Sequence, residues 1–263
     1  MSDTFSKHSI AGSWISTFQS VMGSRSHKPS FVVLDIGQSG CITLSDWFRA
    51  HQEITFQEDI LSQPVRFPRM SIYQRVRQSV GEVYGFNVSV EQLRQVQQIA
   101  NPNQFFQDLQ RGGTRIIYLN RKDMLRHAIA TLRAYSLNCR FDIASSDADT
   151  SPRSKFNIDV SELIACLRYM DNQRLEAKAM LHNIPHLGLT YEDDLMNPNS
   201  HRHTARQLSE FLGIPDIKPV GTKLKLVHQQ LADIVENYSE LKEGIAESEY
   251  AYLLTDNRHL MTV

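Results

Sequence analysis

The sequence has no apolar run long enough to cross a bilayer, so no membrane span is expected. It also has no surplus of either charge. Lys and Arg total 28 against 29 Asp and Glu, a formal net charge of -1. No global field favours nucleic acid, and any anion site must be local. Cysteine is scarce. Cys41, Cys139 and Cys166 form neither a CxxC pair nor an even set, which points to reduced thiols and a cytoplasmic setting. Lys7 and His8 near the N-terminus are followed by no apolar core, so no secretory signal is expected. No internal repeat is visible. No glycine loop closes with Gly-Lys-Ser/Thr and no clear metal-binding acid stands out, which sets aside a nucleotide hydrolase of the Walker type; no metal is expected. What is present is a chain of 263 residues, 41% hydrophobic and 22% charged, with ample material for a core. Residues 1–29, rich in Ser and His, are expected to be a loose lead-in, with one domain over 30–263.

The most informative stretch is Phe31 to Arg49. Phe31-Val32-Val33-Leu34 reads as a buried parallel strand. Gly37-Gln38-Ser39-Gly40 makes a sharp turn, and Leu44, Trp47 and Phe48 then share one helical face. Such a junction is either an ordinary strand-to-helix turn or an anion site, because a helix N-terminus offers free N–H groups and the positive end of a dipole.

A second junction follows further on. Thr114 to Leu119 reads as a buried strand that leads through Asn120-Arg121-Lys122-Asp123 into a helix over Met124 to Tyr135. Ligands of open α/β sheets sit where strand C-termini meet helix N-termini. Further strands are expected at 82–88 and 186–191. Helices are expected at 71–80 on Ile72, Val76 and Val80, and at 90–100 on Leu93, Val96, Gln97 and Ala100. Others are expected at 104–110, at 199–212, and around Leu231, Ile234 and Tyr238. Between them, 57–70 reads as an irregular excursion and 137–155 as a long polar loop. The longest helix starts at an Asp159/Glu162 capping pair, with Val160, Leu163, Ile164, Leu167 and Leu175 as its buried stripe. Strands alternating with helices predict a three-layer α/β domain with a mainly parallel central sheet and helices on both faces.

Four segments, in order, resemble the sulfotransferase superfamily in its bacterial carbohydrate and lipid branch. They are the 31–42 strand and turn, Gln52-Glu53, the Arg121-Lys122-Asp123 segment with Ala128, Ile129, Arg133 and Ala134, and the later Tyr191-Glu192-Asp193, Phe211-Leu212-Gly213 and Asn237–Leu241. The resemblance spans most of residues 31–255 and implies a P-loop-like sulfotransferase fold. It also implies a co-substrate, 3′-phosphoadenosine 5′-phosphosulfate (PAPS), and transfer of a sulfuryl group to a hydroxyl of a carbohydrate, glycolipid or small metabolite.

By the same resemblance, Gly37, Gln38, Ser39, Gly40, Cys41 and Ile42 would hold the 5′ end, Arg121 the 3′-phosphate, and Lys223 would help close over the donor. Glu53 would be the general base, with His51 as the alternative; a Glu at that place is otherwise an ordinary surface residue. Glu192 and Asp193 read as structural, capping the helix that follows or pairing with a cation. The chain departs from the family pattern at Gln38, Cys41, Ile42, Asn87 and Ala130, where cations or hydroxyls are usual. Lys122, Arg126, Arg133 and Lys223 are the cations available as replacements. These departures raise a second expectation, a catalytically impaired nucleotide-binding or scaffold protein.

Overall fold

The computed structural model describes residues 28–141, 155–220 and 230–256. Five strands form one sheet: β1 (Ser30–Asp35), β2 (Ile54–Gln57), β3 (Val83–Ser89), β4 (Thr114–Asn120) and β5 (Leu187–Thr190). Their order is β2-β3-β1-β4-β5, and every neighbouring pair is parallel. The central strand β1 is buried along its whole length, as its unbroken apolar reading requires. The main helices are α1 (Cys41–Arg49), α2 (Pro68–Gln78), α3 (Pro102–Arg111), α4 (Met124–Phe141), α5 (Val160–Met180) and α6 (Pro198–Leu212). Three short ones follow: α7 (Leu231–Ile234), α8 (Tyr238–Ala246) and α9 (Leu253–Asp256).

Alternation along β1 divides the core into two layers. Phe31 and Val33 face α1 and α6, where they meet Leu44, Trp47, Phe48 and Leu208. Val32 and Leu34 face α2 to α5 and α8, among Ile72, Phe106, Leu125, Leu163 and Leu241. Trp47 is fully buried, and its Nε1 donates to the Val220 carbonyl at 3.1 Å. The three-layer architecture is therefore the one expected, with an all-parallel sheet.

Several local expectations are corrected. Ile54–Gln57 is an edge strand, at four residues too short to stand out as one. The helix expected over 90–100 is a single π turn, Gln92–Val96. Gln97 is no part of an apolar stripe, because its amide ties down the preceding loop at Leu61, Gln63 and Val65. Helix α2 stops at Gln78, where Ser79 turns extended, so Val80 is left 98% exposed. Leu175 is 63% exposed on the outer face of α5. Helix α4 continues to Phe141, into the segment expected as loop; 142–154 lie outside the described residues, as do 1–27 and Lys223. No described helix is long and apolar enough to cross a membrane.

Connections leave β1 towards β2 on one side of the sheet and β4 towards β5 on the other. The C-terminal ends of β1 and β4 therefore flank the sheet's switch point, where a crevice opens between diverging connections.

Candidate functional site

At this switch point the chain leaves β1 through a loop with three left-handed residues, Gly37 (φ 81°), Gln38 (φ 45°) and Gly40 (φ 87°). Gly40 is required twice over: its φ suits glycine, and a Cβ there would overlap the Tyr191 ring. The loop turns its carbonyls towards protein donors. The Gly37 carbonyl accepts from Ser39 Oγ at 3.1 Å and from His127 Nε2 at 2.7 Å, and the Gln38 carbonyl accepts from Arg121 Nη1 at 3.3 Å. The Gly37 N–H donates to Asp35 Oδ1 at 2.9 Å. The next five backbone N–H groups, Gln38 to Ile42, have no acceptor among the described residues, and no side chain caps α1. Consecutive free N–H groups at left-handed turns and at a helix start form a nest for an anion.

Two buried titratable groups underlie the nest. Asp35 ends β1 at 3% exposure. Burial pushes its carboxyl up to about 6 against the lowering effect of the Gly37 N–H, and Asp59 adds to the rise. His127, on the first turns of α4, is fully buried. Burial pushes it down to about 3, with the Arg121 and Arg174 charges adding. A neutral imidazole facing a carbonyl must carry its proton on Nε2, which leaves Nδ1 as a lone pair with no partner among the described residues.

Arg121 lies beside the nest, as the resemblance implies, but it is engaged internally. Its Nε donates to Glu192 Oε1 at 3.3 Å, and its guanidinium lies 4.6 Å from the centre of the Tyr191 ring. Glu192 also accepts from the backbone N–H groups of Lys122 at 2.8 Å and Asp123 at 3.4 Å. A carboxylate thus caps the N-terminus of α4 in the manner of a bound anion. The expectation that Glu192 pairs with a cation holds, although the helix it caps is α4 and not the one after it. Lys122 pairs with Asp193, and Arg126 with Asp123 at 3.2 Å.

The fold brings together Gly37, Gln38, Ser39, Gly40, Cys41, Ile42 and Arg121. Ser39 is fully buried and spends its hydroxyl on shaping the loop. Cys41 opens α1 with its thiol pushed well up by burial and by the Asp35 charge.

Glu53 and His51 are not in this group. Helix α1 carries the chain away from the nest, and the Glu53 carbonyl accepts from Val83 N–H at the start of β3. His51 Nδ1 accepts the Glu53 N–H at 3.2 Å. Both therefore stand at the N-terminal edge of the sheet, a strand length of roughly 20 Å from the loop. The carboxylates that α1 and β2 return to the C-terminal edge are Glu58 and Asp59, the two residues just past β2. Burial raises the Glu58 carboxyl, but hydrogen bonds from Ser45 and Arg49 and the Arg49 charge outweigh that and hold it below the usual range. Glu58 pairs with Arg49 at 2.5 Å and lines a cleft of about 410 Å³.

Asn87 Oδ1 accepts the Asp59 N–H at 2.8 Å. Sequence reasoning passed over Asp35, His127 and Glu58. A carboxylate directly before a glycine loop was the available sign for Asp35. For Glu58 the sign was the pair of acids closing an alternating run, Ile54 to Gln57.

No protein-family model matches the chain, and no curated protein sequence matches it. Among solved structures, the chain is similar to a sulfotransferase from Mycobacterium avium, at 11% identity and a TM-score of 0.46 over 93% of this chain and 80% of that one.

Proposed function

We propose that this chain binds the 5′-phosphosulfate end of PAPS in the Gln38–Ile42 nest and transfers its sulfuryl group to a hydroxyl of a carbohydrate, glycolipid or small metabolite. The observation that carries this reading is the run of five backbone N–H groups without an acceptor at the start of α1, set at the switch point of a parallel sheet. Fixed N–H donors stabilise the negative charge that grows on the leaving phosphate as the sulfuryl group departs. The acceptor hydroxyl enters from the cleft beside β2, where Glu58 takes the role that the resemblance gave to Glu53. An ion-paired carboxylate of depressed pKa is a weak base, so slow transfer is expected.

One observation favours a second reading, nucleotide binding without transfer. Arg121 is held by Glu192, and Gln38 brings no cation to the loop.

The test has two parts. The first is calorimetric titration with the product nucleotide, 3′-phosphoadenosine 5′-phosphate. The second is consumption of PAPS over a panel of sugars, glycolipids and small hydroxyl compounds. Binding with turnover supports transfer, and binding without turnover supports the second reading. No binding at millimolar nucleotide would rule out both.

A further inference from the structure

Among the described residues, the cations that the sequence offers for the site are spoken for; Lys223 lies outside them. Arg121 pairs with Glu192, Lys122 with Asp193 and Arg126 with Asp123, while Arg133 lies 5.5 Å from the Phe156 ring centre. A different arginine reaches the same edge. Arg174 projects from the middle of α5, and its Nη2 donates to the Arg121 carbonyl at the β4–α4 junction. Among the described residues it has no carboxylate partner, and its Nε is buried without an acceptor. Its charge acts on Tyr118 and on His127, and His127 touches the loop through the Gly37 carbonyl.

Strands and helices packed about α5 carry unsatisfied polar atoms. The Tyr118 hydroxyl and the Thr131 hydroxyl, one turn beyond His127, are buried without partners among the described residues. So are His127 Nδ1 and the Gln173 carbonyl oxygen, on side chains that are 0% and 6% exposed. Buried polar atoms are rarely left unpaired, and the Tyr118 hydroxyl and His127 Nδ1, on the two groups that the Arg174 charge acts on, mark a place for a polar ligand next to the loop. Arginine, tyrosine and threonine supply donors suited to an anionic group, while the imidazole nitrogen and the amide oxygen can accept from hydroxyls.

We propose that Arg174, and not Arg121, is the side-chain cation that binds a second anionic group on the ligand whose first sits in the loop. The proposal rests on the nucleotide reading above. Arg121 then serves the fold by tying Glu192 to α4, and Arg174 sets the preference for a doubly phosphorylated ligand.

The test compares two probes, adenosine 5′-monophosphate and 3′-phosphoadenosine 5′-phosphate, by titration of wild type, R174Q and R174K. Wild type is expected to prefer the bisphosphate at least tenfold. R174Q is expected to lose that preference with its monophosphate affinity unchanged, and R174K to recover part of it. A role confined to holding the Arg121 carbonyl would weaken both probes alike and leave their ratio unmoved, which would overturn the proposal. If R174Q fails to fold, R174K carries the test, because a point charge cannot match the guanidinium fork and the preference should fall severalfold; an unchanged ratio there overturns the proposal too. Equal affinity of wild type for both probes would sink the Arg174 assignment while sparing the nest. Binding of neither would end the nucleotide reading and this assignment with it.

Discussion

Asp35 ends a strand whose four middle residues are apolar, and its carboxyl accepts the Gly37 N–H of the loop that follows. Its folded pKa of about 6 stands above the ordinary 3.8, so ionisation favours the unfolded chain. The cost is absent below pH 3.8, grows as pH rises to about 6 and is constant above that. Two pKa units amount to about 3 kcal/mol. Asp35→Asn keeps an oxygen for the Gly37 N–H and removes the charge. The variant is expected to be more stable than wild type at pH 7 by about that amount, the difference closing by about pH 4, as read by denaturant unfolding across pH. His127, buried neutral, tilts stability the other way by resisting protonation between pH 6.5 and about 3; both proteins share that slope. Removing the charge under the nest is also expected to tighten phosphate binding at pH 7 and flatten its pH dependence. A variant as unstable or as weakly binding as wild type at pH 7 would contradict the burial argument. The sequence marks Asp35 only as a carboxylate just before a glycine loop; its burial follows from β3 and β4 closing on both sides of β1.

At the scale of the element, the turn after β5 secures the start of α4. Glu192 satisfies two backbone N–H groups and Arg121 together, with both side chains nearly buried. Glu192→Ala leaves a buried guanidinium unpaired and is expected to cost about 3–5 kcal/mol in denaturant unfolding. Arg121→Ala strands the carboxylate and is expected to cost a similar amount. In a double-mutant cycle the two losses should fall well short of additive; full additivity would mean that the pair is not coupled. The strands and junctions of this region were readable because their signals are local: an unbroken apolar run for β1, TRIIYL for β4, and Gly213 closing α6 in the left-handed conformation. The misses come from what periodicity does not record. Val80 keeps the helical spacing of Ile72 and Val76, yet the helix has ended two residues earlier. Leu175 keeps the stripe of α5 but faces outward, since its neighbours are chosen by packing on α3, α4 and α8.

For the whole molecule, the parallel sheet decides which residues can act together. Gly37–Ile42 and Arg121, about 80 positions apart, meet because β1 and β4 are neighbours whose connections diverge. Glu53 follows the loop closely in sequence but lies a strand length away, because α1 must run back along the sheet before β2 can start. Short sequence spacing therefore did not bring Glu53 to the loop, while Arg174 reaches the same edge from a distant helix with no local sign in the sequence. In the proposed function the Gln38–Ile42 backbone is the anion site. The most direct test is to titrate 3′-phosphoadenosine 5′-phosphate into isotope-labelled protein and follow the amide resonances. The largest saturable shifts are expected at the N–H groups of Gln38 to Ile42, the five without acceptors. Saturable shifts confined to another surface, with these five amides unmoved, would contradict the account.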